Sequence, residues 1–257
     1  MHITHKKSRT DRSVEHEIQF ALEAGNSVWI VGDIHGHFLS FQKLLERISL
    51  NPGDILVSLG DIIDRGPSSS SVLELFMETD SFFLIRGNHE DMMLRCICKG
   101  KNRACKSWLK YGGKQTLESF GLKSDELTKL PDNVCDFLSS TPSQIKLKNY
   151  LLIHAGINPE KPLDLQTDND RMWSRNIFEF QEPPYPERQV IVGHTPTQDI
   201  SGHHKPVPYF SRLLNKSGKP AIVALDTGIC KDRNELPTLT AFDIQSQRVI
   251  SVSRIEE

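Results

Sequence analysis

Aspartate, asparagine and histidine gather in short, glycine-flanked clusters along the chain. These are Gly32-Asp33-Ile34-His35-Gly36-His37, Gly60-Asp61-Ile62-Ile63-Asp64-Arg65-Gly66, Gly87-Asn88-His89-Glu90, His154-Ala155-Gly156 and Gly193-His194-Thr195, with Asp226-Thr227-Gly228 similar in form. Carboxylates and imidazoles brought together in a buried cleft repel or stay unsatisfied unless a cation joins them. Asp33, His35, Asp61, Asn88, His154 and His194 offer hard or borderline oxygen and nitrogen donors without a thiolate. Such a set suits manganese, iron or zinc, and the cysteine spacing excludes an all-sulfur zinc site. The inventory fits two metals better than one, because a bridging aspartate can hold two divalent ions ~3.5–4 Å apart, as in two-metal hydrolases.

The elements that must position these groups are legible as strands. Ser27–Val31, Ile55–Leu59, Phe82–Ile85, Tyr150–Ile153, Val190–Val192 and Ala221–Leu225 are compact β-prone runs, each ending at one of the clusters. Phe41, Leu44, Leu45 and Ile48 mark one face of a helix, and Pro67 with its serines marks the start of another. The order β-α-β-α-β implies parallel strands with right-handed crossovers, so the loops at their carboxyl ends converge on one crevice. Residues 91–145 read as mostly helical. Leu239–Ile244 and Val249–Val252 read as a terminal meander, and Ser201–Lys219 as a polar insertion. Residues 1–26 are expected to be a loosely attached polar extension with a short helix from Val14 to Ala24. Residues 27–257 are expected to form one α/β domain.

Composition narrows the class. The 257 residues are 37% hydrophobic and 25% charged, which fits a folded globular protein and excludes collagen-like, disordered and membrane-embedded classes. Thirty-one basic and 33 acidic residues give a net charge of −2, so no cationic field recruits nucleic acid. No apolar run approaches the ~18–20 residues needed to cross a bilayer. The first residues lack the apolar core of a secretory signal. The 5 cysteines are odd in number and form no Cys-x-x-Cys pair, so a disulfide framework is not expected and a reducing, cytoplasmic setting is.

In this order the motifs resemble the calcineurin-like metallophosphoesterases, and within them the phosphoprotein phosphatase branch. The likeness covers roughly Ser27 to Ile244. Met172-Trp173-Ser174-Arg175 is similar to a segment of bacterial and phage protein phosphatases and of symmetrical diadenosine tetraphosphatases. The resemblance implies central β-sheets in a sandwich flanked by helices, with the site at the carboxyl ends of the strands. It implies that Asp33 and His35 hold one metal, that Asp61 bridges, and that Asn88, His154 and His194 complete the second. It further implies in-line attack of a metal-bound hydroxide on a phosphomonoester of Ser, Thr or Tyr in a phosphoprotein or phosphopeptide. His89 would then be the general acid, oriented by Asp64, with Arg65 and Arg175 clamping the phosphoryl oxygens.

Rival readings accompany each assignment. A lone strand-end aspartate is usually a turn residue, and Asp64 with Arg65 could be a surface ion pair. Arg171 competes with Arg175. His37 and Glu90 could support a ligand, Asp226 the cleft or a ligand histidine. Trp108, Tyr111, Gly112 and Gly113 could line the substrate pocket or only pack a helix. His203 and His204 are expected to be solvated, and Cys96, Cys98 and Cys105 to be unpaired thiols. Asp226-Thr227-Gly228 and the following Ile229–Glu235 depart from the protein-phosphatase pattern. A dinucleoside polyphosphate hydrolase with the same metal centre is the first alternative; a non-catalytic binding module is the second.

Overall fold

The computed structural model of the chain describes residues 11–99 and 103–256. Strands β1 (Val28–Val31), β2 (Ile55–Ser58), β3 (Phe82–Leu84), β9 (Thr238–Asp243) and β10 (Val249–Ser253) make one sheet, in the order β10-β9-β1-β2-β3. Strands β4 (Gln144–Lys146), β5 (Tyr150–Ile153), β6 (Gln189–Val192), β7 (Tyr209–Phe210) and β8 (Ile222–Ala224) make the other, in the order β4-β5-β6-β8-β7. β1, β2 and β3 run parallel, as do β5, β6 and β8. Helices α2 (Phe38–Ile48) and α3 (Ser69–Glu78) supply the first two crossovers.

Side-chain alternation explains the layering. In β1, Val28 and Ile30 face a core shared with Leu152, Ile191 and Val223 of the second sheet. Trp29 and Val31 point the other way, onto Phe41 and Leu44 of α2 and Phe76 of α3. The outer face of the second sheet is covered by Ile157 and Ile200 from loops and by Ile177 from a short 3-10 turn. Two sheets thus stack face to face with helices outside one of them, the sandwich that the resemblance implies. Each fully buried aliphatic or aromatic side chain contributes about 1.5–3 kcal/mol.

Residues 1–10 lie outside the described residues; from residue 11 the expected short helix is present, but it is docked on the core and not loosely attached. Helix α1 (Asp11–Glu23) buries Val14, Ile18 and Ala21 in the core between the sheets. Its Glu15 and Gln19 side chains accept the backbone N–H groups of Lys146 and Lys148 at 2.7 and 2.9 Å. A narrow apolar stripe on a polar helix is sufficient to dock it.

The cysteines also differ. Cys96 in α4 (Asn88–Lys99) and Cys105 in α5 (Arg103–Trp108) form a disulfide, with Cα atoms 4.4 Å apart. The pairing of α4 with α5 brings them together, which spacing alone does not reveal. Strand β7 arises inside the polar insertion and pairs antiparallel with β8. Among the described residues, no helix is long and apolar enough to cross a membrane.

Candidate active site

The chemical clusters sit at the carboxyl ends of parallel strands from both sheets. Asp33 and His35 follow β1, Asp61 to Arg65 follow β2, and Asn88 and His89 open α4 just beyond β3. His154, His194 and Asp226 follow β5, β6 and β8. All of these except Arg65 are buried. The backbone reaches these positions through unusual conformations: φ is +47° at His35, +52° at Asp61, +72° at Asp64, +69° at Arg65 and +64° at His194.

Asp61 stands at the centre. Its Oδ1 lies 3.4 Å from His154 Nε2 and its Oδ2 lies 3.8 Å from His35 Nε2. Asp33 Oδ2 is 3.9 Å from the same His35 nitrogen. On the other side, Asn88 Oδ1 is 2.8 Å from His154 Nε2 and 2.9 Å from His194 Nδ1. The two carboxylate oxygens of Asp61 therefore face two separate donor groups. The structure brings together all six predicted ligand positions.

This donor set fits divalent cations. His35 Nδ1 meets the Ile63 carbonyl and His154 Nδ1 the Leu59 carbonyl, each at 2.9 Å, which places their protons there. Their Nε2 lone pairs then face Asp61, as ligand imidazoles require. Burial lowers the pKa of His35 and His154, and drives that of His194 down to about 2, so these rings are neutral. Burial, then Asp226 and Asp61, push Asp33 well above the usual carboxylate range, and burial raises Asp226 to about 6. Carboxylates crowded in this way gain from a bound cation.

His89 occupies a different role in the geometry. It lies within reach of the His35–Asp61 group, yet its Nδ1 is 2.7 Å from Asp64 Oδ2 and its Nε2 is 3.0 Å from Arg65 Nη2. Burial opposes a charge on this ring, but Asp61 and the Asp64 hydrogen bond prevail and raise its pKa. Arg175 donates from Nη1 to Thr195 Oγ1 at 3.2 Å, beside His194. The competing Arg171 instead donates to Gln144 Oε1 at 3.1 Å, outside this group.

Glu90 is more than a neighbour. Its Oε2 accepts Asp61 N–H at 2.9 Å and Gly87 N–H at 2.8 Å, and its Oε1 accepts Ile62 N–H at 2.9 Å. Gly87 must lack a side chain, because a Cβ there would sit 2.2 Å from Asp61 Oδ1. Asp226 accepts from Gly228 N at 3.0 Å, so its carboxylate braces its own turn. His37 Nε2 is 3.7 Å from Cys230 Sγ, His203 bonds to the Val207 carbonyl within the insertion, and His204 bonds to the Gln198 carbonyl just before it. Trp108 is fully buried, whereas Tyr111 is 51% exposed, so the indole does not line a pocket.

Three further residues take part that no sequence motif marks. Ser69 and Thr116 each accept the Asp64 N–H at 3.0 Å, and Cys230 lies against Arg65, its thiol pushed up to about 12 chiefly by burial. Their contacts are remote in sequence, and no local motif marks them.

Residues 27–224 match the calcineurin-like phosphoesterase family. The chain belongs to that family. Similar proteins include serine/threonine-protein phosphatase 1 of Salmonella typhimurium, 43% identical over 38% of this chain and 44% of the relative. Serine/threonine-protein phosphatase 2 of Escherichia coli is 36% identical over 50% of this chain and 57% of its own. A symmetrical bis(5'-nucleosyl)-tetraphosphatase of Shewanella sp. is 34% identical over 66% of this chain and 58% of its own. The matched stretches thus span about half the length of these relatives. Among solved structures, a serine/threonine phosphatase from Saccharomyces cerevisiae superposes with TM-score 0.58 at 16% identity, over 97% of this chain and 91% of that one. A cold-active protein-tyrosine phosphatase of a Shewanella species gives 0.58 at 19% identity, over 90% and 80%. These likenesses establish a calcineurin-like phosphoesterase fold.

Proposed function

We propose that this calcineurin-like phosphoesterase removes phosphate from seryl and threonyl, and also tyrosyl, side chains of proteins, using two divalent cations of which manganese is the first choice. One observation carries the reading: the Asp61 carboxylate is shared between two donor groups, at 3.4 and 3.8 Å, next to a His89–Asp64 pair at 2.7 Å. Asp33, His35 and Asp61 would hold one cation, and Asp61, Asn88, His154 and His194 the other. When bound, such a pair lowers the pKa of a water molecule and offsets phosphoryl charge.

The chain's own groups do the rest. Arg65 and Arg175, both exposed at the site, bind the phosphoryl oxygens and orient phosphorus for direct attack by water, so no covalent phosphoenzyme forms. Moving Arg65 onto phosphate frees His89 Nε2 to carry a proton. His89 then protonates the leaving oxygen while Asp64 holds Nδ1 and stabilises the cationic ring. A seryl or threonyl alkoxide is a basic leaving group that needs such a proton, whereas a nucleotide polyphosphate leaves without much help. This contrast supports the phosphomonoester reading.

The relatives named as symmetrical tetraphosphatases support a second reading, cleavage of dinucleoside polyphosphates. Measuring kcat/KM in Mn²⁺ for phosphoserine, phosphothreonine and phosphotyrosine peptides against diadenosine tetraphosphate decides between them. The phosphatase reading expects the peptides to be favoured; a preference for the dinucleotide by orders of magnitude transfers the function to the second. Full turnover of an aryl phosphate by Asp61→Asn and by His89→Ala would refute the site itself.

A further inference from the structure

The Asp64 carboxylate is fully buried, and a buried carboxylate must collect donors. It has three. His89 Nδ1 lies 2.7 Å from Oδ2, Trp108 Nε1 donates to Oδ2 at 2.9 Å and to Oδ1 at 3.1 Å, and Thr116 Oγ1 donates to Oδ1 at 2.5 Å. Two of these donors come from one segment: α5, the turn Leu109–Gly113, and α6 (Lys114–Ser119). The same segment grips the backbone beneath the carboxylate. Thr116 Oγ1 accepts Asp64 N–H at 3.0 Å, and the Gly112 carbonyl accepts Arg65 N–H at 3.3 Å.

Packing alone does not explain these choices. The indole turns its one polar atom onto Asp64, a contact that a purely apolar ring in the same seat would not make. Its seat is tight: a Cβ on Gly113 would fall 2.5 Å from the indole ring. Asp64 and Arg65 both hold left-handed backbone, at φ +72° and +69°, a conformation that persists only where neighbours over-determine it.

We propose that this helical segment is a clamp for the general acid, with Trp108 and Thr116 as positioning residues that fix the Asp64 carboxylate and, through it, the His89 ring. The inference rests on the reading of His89 as proton donor. Neither residue touches substrate; both set the angle at which His89 meets the leaving oxygen. A ring that is free to tilt loses effective proton transfer, and the loss grows with the basicity of the leaving group.

The test uses the full chain in Mn²⁺, with kcat and KM measured on p-nitrophenyl phosphate, whose leaving group is weakly basic, and on phenyl phosphate, whose leaving group is more basic. Trp108→Phe and Thr116→Val should each lower kcat on phenyl phosphate on the order of tenfold, with a smaller loss on p-nitrophenyl phosphate and little change in KM. Thr116→Ser, which keeps the hydroxyl, should restore the rate. Trp108→Phe should add no further loss in an Asp64→Asn background, because the two act as one unit. Should Trp108→Phe fail to fold, the Thr116→Val and Thr116→Ser pair carries the comparison.

An activity-independent readout accompanies it. In the metal-free chain, the low-field Nδ1–H proton resonance of His89, identified by its loss in His89→Asn, should move in Thr116→Val and return in Thr116→Ser. Equal loss on both aryl phosphates, an effect on KM alone, additivity with Asp64→Asn, or an unmoved resonance would each overturn the clamp. If His89→Asn shows leaving-group dependence and the positioning variants do not, the clamp alone is wrong. If His89→Asn shows none, the proton-donor reading falls and takes the clamp with it.

Discussion

Left-handed backbone at His35, Asp61 and His194 costs about 1–2 kcal/mol per residue and is tolerated because surrounding groups hold it in place. Glu90 is the strongest holder, accepting three backbone N–H groups of the Asp61 and Gly87 turns. Glu90→Gln retains one accepting oxygen and turns an NH₂ toward donors that already need a partner. We expect it to destabilise the fold by about 1–3 kcal/mol in urea denaturation, and to lower bound-metal stoichiometry. His89 gives a pH test. Its folded pKa is raised above the ordinary 6.5, so its ion pair with Asp64 stabilises the chain fully below that value. That contribution is lost as pH rises through the folded value. NMR titration of the metal-free chain should find the raised pKa in the wild type, and Asp64→Asn should bring it down.

Among the elements, α1 makes the sharpest claim. Ile18 is completely buried in the core between the sheets and is not among the residues that form the cleft. Ile18→Ala should cost about 2–5 kcal/mol in urea denaturation, with kcat unchanged at temperatures where the variant is folded. An effect within experimental error would mean that the helix is not docked in solution. The parallel strands that carry the site were legible because, buried on both faces, they read as unbroken apolar runs such as Val28–Val31 and Val190–Val192. Their clusters were legible because the chemistry is local to each strand end. What eluded the sequence was non-local or short. Thr116 meets Asp64 across 52 positions, Cys96 meets Cys105 through helix pairing, and β7 is two residues long. The apolar stripe of α1 was diluted by the charged residues around it.

For the whole molecule, the decisive fact is that the site straddles both sheets. Asp33, Asp61 and Asn88 come from the first sheet, His154, His194 and Asp226 from the second. Cross-sheet bonds already join them: His194 N donates to Asp33 Oδ1 at 3.0 Å, and His154 Nδ1 meets the Leu59 carbonyl at 2.9 Å. Divalent cations held here would tie the two layers together and relieve repulsion among the buried Asp33, Asp61 and Asp226. Ligand binding confined to the folded state adds about 2.7 kcal/mol at a concentration 100 times the Kd. Calorimetry should therefore show Tm rising with Mn²⁺ after the chain is stripped by chelator, and falling again when chelator returns. Asp61→Asn, which weakens both donor groups at once, should abolish most of that rise, whereas Asn88→Ala should leave part of it. The variants should differ little from one another without metal, because the shift reports the cation's bridge and not packing. A Tm indifferent to Mn²⁺ would mean that these side chains do not bind cations strongly enough to bind the sheets together, and the hydrolytic reading would lose its foundation.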